Sequence, residues 1–361
     1  MRDARVVLNS NALRHNLAVV RDFAPHAQVL AMVKADAYGH GLAFAISSLQ
    51  GADALGVAFM QEALDIRALG NTQPIVLIEG VFSAAEWRQA AQINASCAIH
   101  QDCQLQWALD YPIPNTTIWL KVNTGMNRLG LAPTAALEAA HLLRSAGYTL
   151  ILTTHFANAD EPNHPLNRQQ IDSFLALKQQ LDPIAATLCN SAALIQWPEL
   201  HFDWVRPGIM LYGSSPFADR NAAQLNLQPV MTFSSQLIAR HTLPTGVSVG
   251  YGSLHTTARP TELGVVAIGY GDGYPRVVSG GIVLIAGQRV PIIGRVSMDM
   301  LTVDLTDLVE IPALNSRVIL WGAGLDVDEI AATAGTIGYE LFTRLSPRPK
   351  RQAAQDDEVI L

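Results

Sequence analysis

The feature that most constrains this chain is an alternation. Over the first two-thirds, apolar runs too short for anything but strands are separated by longer, amphipathic, alanine-rich segments. Eight such runs occur: "VLAMVKA", "DALGVAF", "PIVLIEG", "NASCAIH", "TIWLKVN", "LILTTHF", "ATLCNSA" and "DWVRPGIMLYG". Between them lie helical patterns such as "MQEALDIRALG", "SAAEWRQAAQ", "TAALEAAHLLRSAG" and "RQQIDSFLALKQQL", several with glycine or proline near their ends. Strict alternation implies a parallel sheet with right-handed crossovers, and eight units imply closure into a (β/α)8 barrel. An open doubly wound sheet is the runner-up, disfavoured because no G-x-G-x-x-G follows the first strand.

After about Met231 the texture changes to short β-prone runs broken by Gly, Pro and Asp, with "DVDEIAATAG" the only clear helix. The α/β barrel is therefore expected to be followed by a mainly β domain, with residues 9–231 in the first and 232–361 in the second. The opening strand-like segment, residues 1–8 with "ARVVL", precedes the first barrel unit and is expected to pair with the C-terminal domain.

With 361 residues, 49% of them apolar, and a net charge of −7, the chain can bury a large core and shows no disorder signature. The acidic balance and the absence of a basic stripe argue against a nucleic-acid partner. No apolar run reaches the roughly 20 residues of a membrane span, and "MRDARVVLNS" lacks the apolar core of a signal peptide, so a cytoplasmic protein is expected. Three cysteines, Cys97, Cys103 and Cys189, cannot all pair, which fits a reducing compartment. The basic cluster "TRLSPRPKR", soon followed by Asp356, Asp357 and Glu358, reads as a solvated tail.

A parallel barrel places its chemistry at the carboxyl ends of its strands. Those ends carry Lys34, Lys121 and Asn123, His155, Asn190 and Ser191, and Arg206 with Gly208. Each has an ordinary reading: an ion-pair lysine, a satisfied core histidine, an arginine clamping a carboxylate, Ser191 as a helix cap before "AAL". Their convergence on one rim carries the argument. An amine, a histidine, an arginine and an anion cradle from Ser191 and the Gly208 and Ile209 amides suit pyridoxal 5′-phosphate, a phosphorylated carbonyl cofactor held as an imine. Cys97, His100 and Cys103 in "CAIHQDC" mimic metal spacing, but no fourth ligand is near and no metal is expected.

The segment "AMVKADAYGHG" resembles the cofactor-lysine segment of alanine racemases, and "KVNTGMNRLG", "HFANAD", "CNSAA", "VRPGIMLYG", "VGYG", "AIGYGDGYPR" and "GRVSMDM" are similar to further blocks of that family in the same order. The resemblance covers essentially the whole chain. It implies an isomerase that interconverts L-alanine and D-alanine, with Lys34 forming the internal aldimine and then serving as base on one face of Cα, and Tyr251 serving the other. It further implies that His155 orients Tyr251, and that Arg206 faces the pyridine nitrogen. An arginine there leaves the ring unprotonated and a weaker electron sink, which suppresses transamination.

By the same resemblance, Tyr38, Ser191, Gly208 and Ile209 hold the phosphate, and Arg128 holds the cofactor's phenolic oxygen and the substrate carboxylate. Lys121 corresponds to a lysine that is carbamylated in many members. Tyr270, Met298 and Asp299 form the far wall of the pocket, leaving room for a methyl side chain. Tyr251 and Met298 reach the cofactor from a partner subunit, which implies a head-to-tail homodimer with shared active sites. No phosphate contact is carried over from "RLSPRPKR", and Asp203 and Trp204 receive no role. The competing readings are a broad-specificity racemase or barrel-fold decarboxylase, a cofactor-carrying protein without catalysis, and a lysine aldolase.

Overall fold

The first strand, β1 (Arg5–Leu8), stands apart from the alternation that follows it. In the computed structural model, which describes residues 3–113, 115–278 and 280–354, the helix Ser10–Phe23 leads from β1 into eight parallel strands. These are β2 (Gln28–Met32), β3 (Ala54–Val57), β4 (Ile75–Leu77), β5 (Ala95–Ile99), β6 (Thr117–Lys121), β7 (Thr149–Thr153), β8 (Ala185–Thr187) and β9 (Trp204–Val205). Each coincides with one of the eight expected runs, β2, β7 and β8 starting one residue ahead of it. Parallel ladders run from β2 in order to β8, and β9 pairs with the other edge of β2. The sheet therefore curls into a nearly closed barrel, and the open-sheet alternative is set aside.

The seam between β8 and β9 is closed by single hydrogen bonds. Asp203 Oδ2 accepts from Ala186 N at 2.7 Å, Asp203 N donates to Ala186 O at 3.3 Å, and Arg206 N donates to Cys189 O at 2.9 Å. Both strands are short, and Pro207 has no N–H with which to extend a ladder from β9. Asp203 thus has a structural task that its sequence position did not announce.

Helices form where the sequence both caps them and gives them an apolar stripe. In helix Ala84–Gln92, Ser83 Oγ accepts from Glu86 N at 3.1 Å while Glu86 Oε2 accepts from Phe82 N at 2.8 Å, satisfying one amide of the first turn and one just ahead of the cap. Trp87 and Ala90 are the buried residues of that helix, and Trp87 Nε1 donates to Tyr111 O at 3.0 Å. Truncating such a tryptophan costs about 3–5 kcal/mol.

The second sheet is built on β10 (Met231–Leu243). The ribbon of β11 (Ser248–Val249) and β12 (His255–Thr256) follows, then β13 (Thr261–Val266), β14 (Ile282–Ile285), β15 (Gln288–Pro291), β16 (Leu301–Asp304), β17 (Arg317–Trp321) and β18 (Lys350–Ala353). β1 lies between β10 and β18, antiparallel to the first with Val6 opposite Phe233 and parallel to the second. The basic run near the C-terminus is therefore partly a strand, correcting its reading as a solvated tail; Asp356, Asp357 and Glu358 lie outside the described residues.

Besides helix Val327–Thr333, this region holds a second, six-residue helix, Gly338–Thr343, too short to show a helical period in the sequence. It packs against the barrel: a Cβ on Gly39 would sit 2.2 Å from Phe342 O, and the His40 and Phe342 rings are 4.7 Å apart.

Candidate active site

Lys34 follows β2 and begins an unusual backbone. Ala35, Asp36, Ala37 and Tyr38 have φ of 54, 52, 53 and 55°, one turn of left-handed helix, with Ala37 N bonded to Val33 O and Gly39 N to Ala35 O, both at 2.9 Å. L-residues disfavour this hand by about 1–2 kcal/mol each, so the turn must be held from outside. Glu62 does so: Oε1 accepts from Ala35 N at 2.6 Å while Oε2 accepts from Ala58 N at 2.8 Å and Phe59 N at 3.2 Å. Asp36 Oδ1 accepts from Leu42 N at 2.7 Å. The result presents Lys34 and Tyr38 to the barrel's mouth.

A cavity of about 510 Å³ lies there. Lys34, Lys121, Arg128, His155 and Arg206 line one part of it, and Tyr38, Ser191, Gly208 and Ile209 another. Arg206 is buried and fixed, Nη1 donating to Thr187 Oγ1 at 2.6 Å and Nη2 to Thr154 O at 2.7 Å and Leu188 O at 3.3 Å. Burial lowers its pKa to about 10, so it stays charged at neutral pH. Its Nη2 is also 3.4 Å from His155 Nδ1. Because a guanidinium only donates, Nδ1 is the acceptor and the ring proton sits on Nε2. Burial first, then the charges of Arg206, Lys121, Arg128 and Lys34, hold His155 well below its usual pKa. Lys121, at the end of β6, is lowered to about 8 by burial and then by Arg206 and Arg128.

At the other part of the cavity, Ser191 Oγ accepts from Gly208 N at 2.9 Å. The cap of helix Ser191–Gln196 is Asn190, whose Oδ1 accepts from Ala193 N at 3.0 Å, so the reading of Ser191 as the cap is corrected by one residue. A Cβ on Gly208 would fall 2.3 Å from Tyr38 Oη. The Tyr38 ring stacks on Tyr212 at 4.8 Å, and Tyr212 Oη donates to Met32 O at 2.9 Å.

Tyr251, Tyr270, Met298 and Asp299 are not among the residues that line this cavity in the same chain. They are carried by loops of the second sheet. Tyr270 N donates to Ser297 O at 3.0 Å and Gly271 N to Met298 O at 2.9 Å, which sets Tyr270 beside Met298. Asp299 is paired with Arg348, which also reaches Asp272 at 3.4 Å. Tyr251 follows the β11 strand, whose Val249 O would lie 3.0 Å from a Cβ on Gly294, at the start of the same loop as Met298. Tyr251 is 70% exposed and Met298 53%. The two clusters, one cationic and one exposed and largely aromatic, share no side chain.

Among the cavity residues that the sequence reading did not single out are Glu79 and Tyr339. Glu79, at the end of β4, places Oε1 3.4 Å from Lys34 Nζ. Tyr339, on the helix Gly338–Thr343, has its ring 5.9 Å from that of Tyr38. Tyr339 stands in "TIGYEL", a few residues before the "RLSPRPKR" run from which no contact was expected.

Comparisons with known proteins point to one family. The family model for the alanine racemase N-terminal domain matches residues 8–216, and that for the C-terminal domain matches residues 230–353. The alanine racemase of Psychrobacter sp. (strain PRwf-1) is 52% identical over 373 residues, covering 98% of this chain and 100% of its own. The structure of alanine racemase from Acinetobacter baumannii superposes with a TM-score of 0.95 at 46% identity, over 98% of this chain and 100% of that one. A more distant structure, alanine racemase from Bartonella henselae with covalently bound pyridoxal phosphate, gives 0.88 at 27% identity over 98% and 99%. Matched in both domains and at such identity over nearly its whole length, this chain belongs to the alanine racemase family of isomerases.

Proposed function

We propose that the chain interconverts L-alanine and D-alanine with pyridoxal 5′-phosphate, Lys34 moving the proton on one face of Cα and Tyr251 of a second copy on the other. The observation that carries this reading is the convergence in one cavity of Lys34, Arg128, His155 and Arg206 with the Tyr38, Ser191 and Gly208 cradle. The cradle fits a phosphate: two hydroxyls and backbone amides meet where glycine alone leaves room, since a Cβ on residue 208 would collide with Tyr38 Oη. When bound, the cofactor supplies a carbonyl carbon for an amine and a conjugated ring that delocalises the electron pair left at Cα.

The chain's own residues do the rest. Arg206, fixed by three oxygen acceptors, keeps its proton and so leaves a facing ring nitrogen an acceptor only. A decarboxylase would want an acid at that place. Arg128 is suited to the substrate carboxylate and the cofactor's phenolic oxygen. His155, neutral and carrying its proton on Nε2, can donate to a tyrosine oxygen and so stabilise the phenolate form of Tyr251. Racemisation requires two groups, because a proton removed from one face must be returned on the other.

Tyr251 can serve a Lys34 only if another chain brings it, which supports a head-to-tail homodimer with shared sites. The exposed Tyr251, Tyr270 and Met298 cluster is the surface such a partner would use, walling the pocket to the size of a methyl group. Lys121, lowered to about 8, has an appreciable neutral fraction at physiological pH. Reaction of that amine with carbon dioxide would turn a cation beside Arg128 into an anion that braces it. No helix among the described residues is long and apolar enough to cross a membrane, in keeping with a cytoplasmic setting. NMR of L-alanine with the purified protein and pyridoxal phosphate in deuterated water tests the reading: it requires deuterium at Cα and D-alanine as product, and exchange without inversion would remove the second base.

A further inference from the structure

The charges around the cavity are unequal. Lys34, Lys121, Arg128 and Arg206 line it with two carboxylates, Glu79 and Glu340. Glu340 is engaged by Thr336 Oγ1 and by Arg344 Nη1, the latter at 3.1 Å. Glu79 faces Lys34, with Oε1 3.4 Å from Nζ.

Residue 79 is held through its backbone. Its carbonyl accepts from His100 Nε2 at 2.9 Å and from Gln104 Nε2 at 3.5 Å. A carbonyl can only accept, so His100 is the donor at Nε2. The next residue, Gly80, has φ of +74°, and a Cβ there would lie 2.4 Å from Gln104 Nε2 and 2.5 Å from Ala98 O. The histidine of "CAIHQDC", whose spacing mimics a metal site, is thus a bracket for the end of β4. The bracket leaves the Glu79 carboxylate to Lys34. The two side chains are 31% and 35% exposed, so their ion pair is weak enough to open when Nζ is needed elsewhere.

We infer that Glu79 is a positioning residue of this reaction: its carboxylate holds the Lys34 ammonium at the β4 side of the cavity and stabilises the proton that Nζ has taken from Cα. The inference rests on the role proposed above for Lys34. In that step the Cα–H bond breaks and an N–H bond forms at Nζ, while the electron pair stays with the substrate carbon and spreads into the bound cofactor. Glu79 takes no proton; it pairs with the ammonium that results, and Lys34 is kept within reach of Cα for the return.

Glu79→Gln preserves side-chain size and leaves the carbonyl that His100 holds. With the cofactor removed by hydroxylamine and dialysis, Lys34 is labelled by formaldehyde and borohydride at neutral pH and followed by mass spectrometry of its peptide, with Lys178 as the internal reference. Loss of the ion pair should speed Lys34 labelling ~5-fold without changing Lys178. In the reloaded enzyme, kcat should fall about 10-fold with KM for alanine within about 2-fold. Equal Lys34 labelling in parent and variant would overturn the inference, as would an unchanged kcat. Absence of alanine racemisation by the parent, read separately from the labelling, would overturn the reaction assignment and this inference with it.

Discussion

Arg206 Nη2 and His155 Nδ1 lie 3.4 Å apart, a guanidinium against an imidazole that is itself buried. The contact decides the protonation of His155: burial and the adjacent cation both oppose a second ring proton, so the histidine stays neutral with Nε2–H as its donor. Replacing Arg206 by Gln removes the nearest cation, and the His155 pKa should rise toward the ordinary histidine range while kcat falls about 100-fold. An NMR titration of the His155 ring checks the sign; a downward move would mean that Arg206 does not govern it.

The Gly208 backbone and the Tyr38 hydroxyl leave no room for a methyl group, because Tyr38 is stacked on Tyr212 and cannot retreat. Gly208→Ala should therefore keep the fold but lose about 10- to 100-fold in affinity for pyridoxal phosphate, since overpacking of this kind costs about 1–3 kcal/mol. A fluorescence titration of the cofactor-free variant measures it.

The homodimer with shared sites proposed above makes a prediction that no single-chain site can meet. Lys34→Ala should abolish the absorbance of bound pyridoxal phosphate, and Tyr251→Phe should leave Cα exchange in one enantiomer without inversion. Neither alone racemises alanine. Unfolded and refolded together in equal amounts, the two variants should recover about a quarter of parental activity, because half of the dimers are mixed and each mixed dimer holds one intact site. Recovery indistinguishable from zero would place both residues in one chain's site.

Lys121→Arg keeps the positive charge but cannot form a carbamate, and should lower kcat/KM at least 10-fold. In the parent, carbon-13 bicarbonate should yield a protein-bound carbamate resonance that is missing from the variant. The resonance should weaken on acidification through about 8, where burial and the neighbouring arginines place the Lys121 ammonium, because only the neutral amine combines with carbon dioxide.

Stability should fall in acid for a reason visible in His40. Burial, opposed by its bond to Tyr38 O, leaves His40 at about 4, below the unfolded value of 6.5. The unfolded chain therefore binds the proton first, and the stability contributed by the neutral ring is present above about 6.5 and lost as pH falls toward about 4, up to about 3 kcal/mol. Denaturant unfolding of His40→Phe at a series of pH values should show a shallower loss over that window than the parent.

Much of this molecule is written locally. Apolar runs of strand length between alanine-rich amphipathic segments are a short-range signal, and all eight barrel strands coincide with those runs to within one residue at their starts. The polar residues at the strand ends were equally legible, since a parallel barrel must bring its carboxyl ends to one rim. Other features have no local cause. Apart from Asp36, the residues Ala35–Tyr38 carry no left-handed preference; the turn exists because Glu62, in the first turn of helix Met60–Ala68, accepts the Ala35 amide. Tyr339 reaches the cavity from a six-residue helix too short to mark itself in the sequence, whereas Glu79 stands at the end of an expected run and was open to the same strand-end rule. The exposure of Tyr251 and Met298, outside the cavity that Lys34 lines, follows from how the second sheet folds. Sequence determined which segments could form and which chemistry they could bear; tertiary structure decided which side chains meet, because hydrogen bonds and packing between distant segments are properties of the assembled chain.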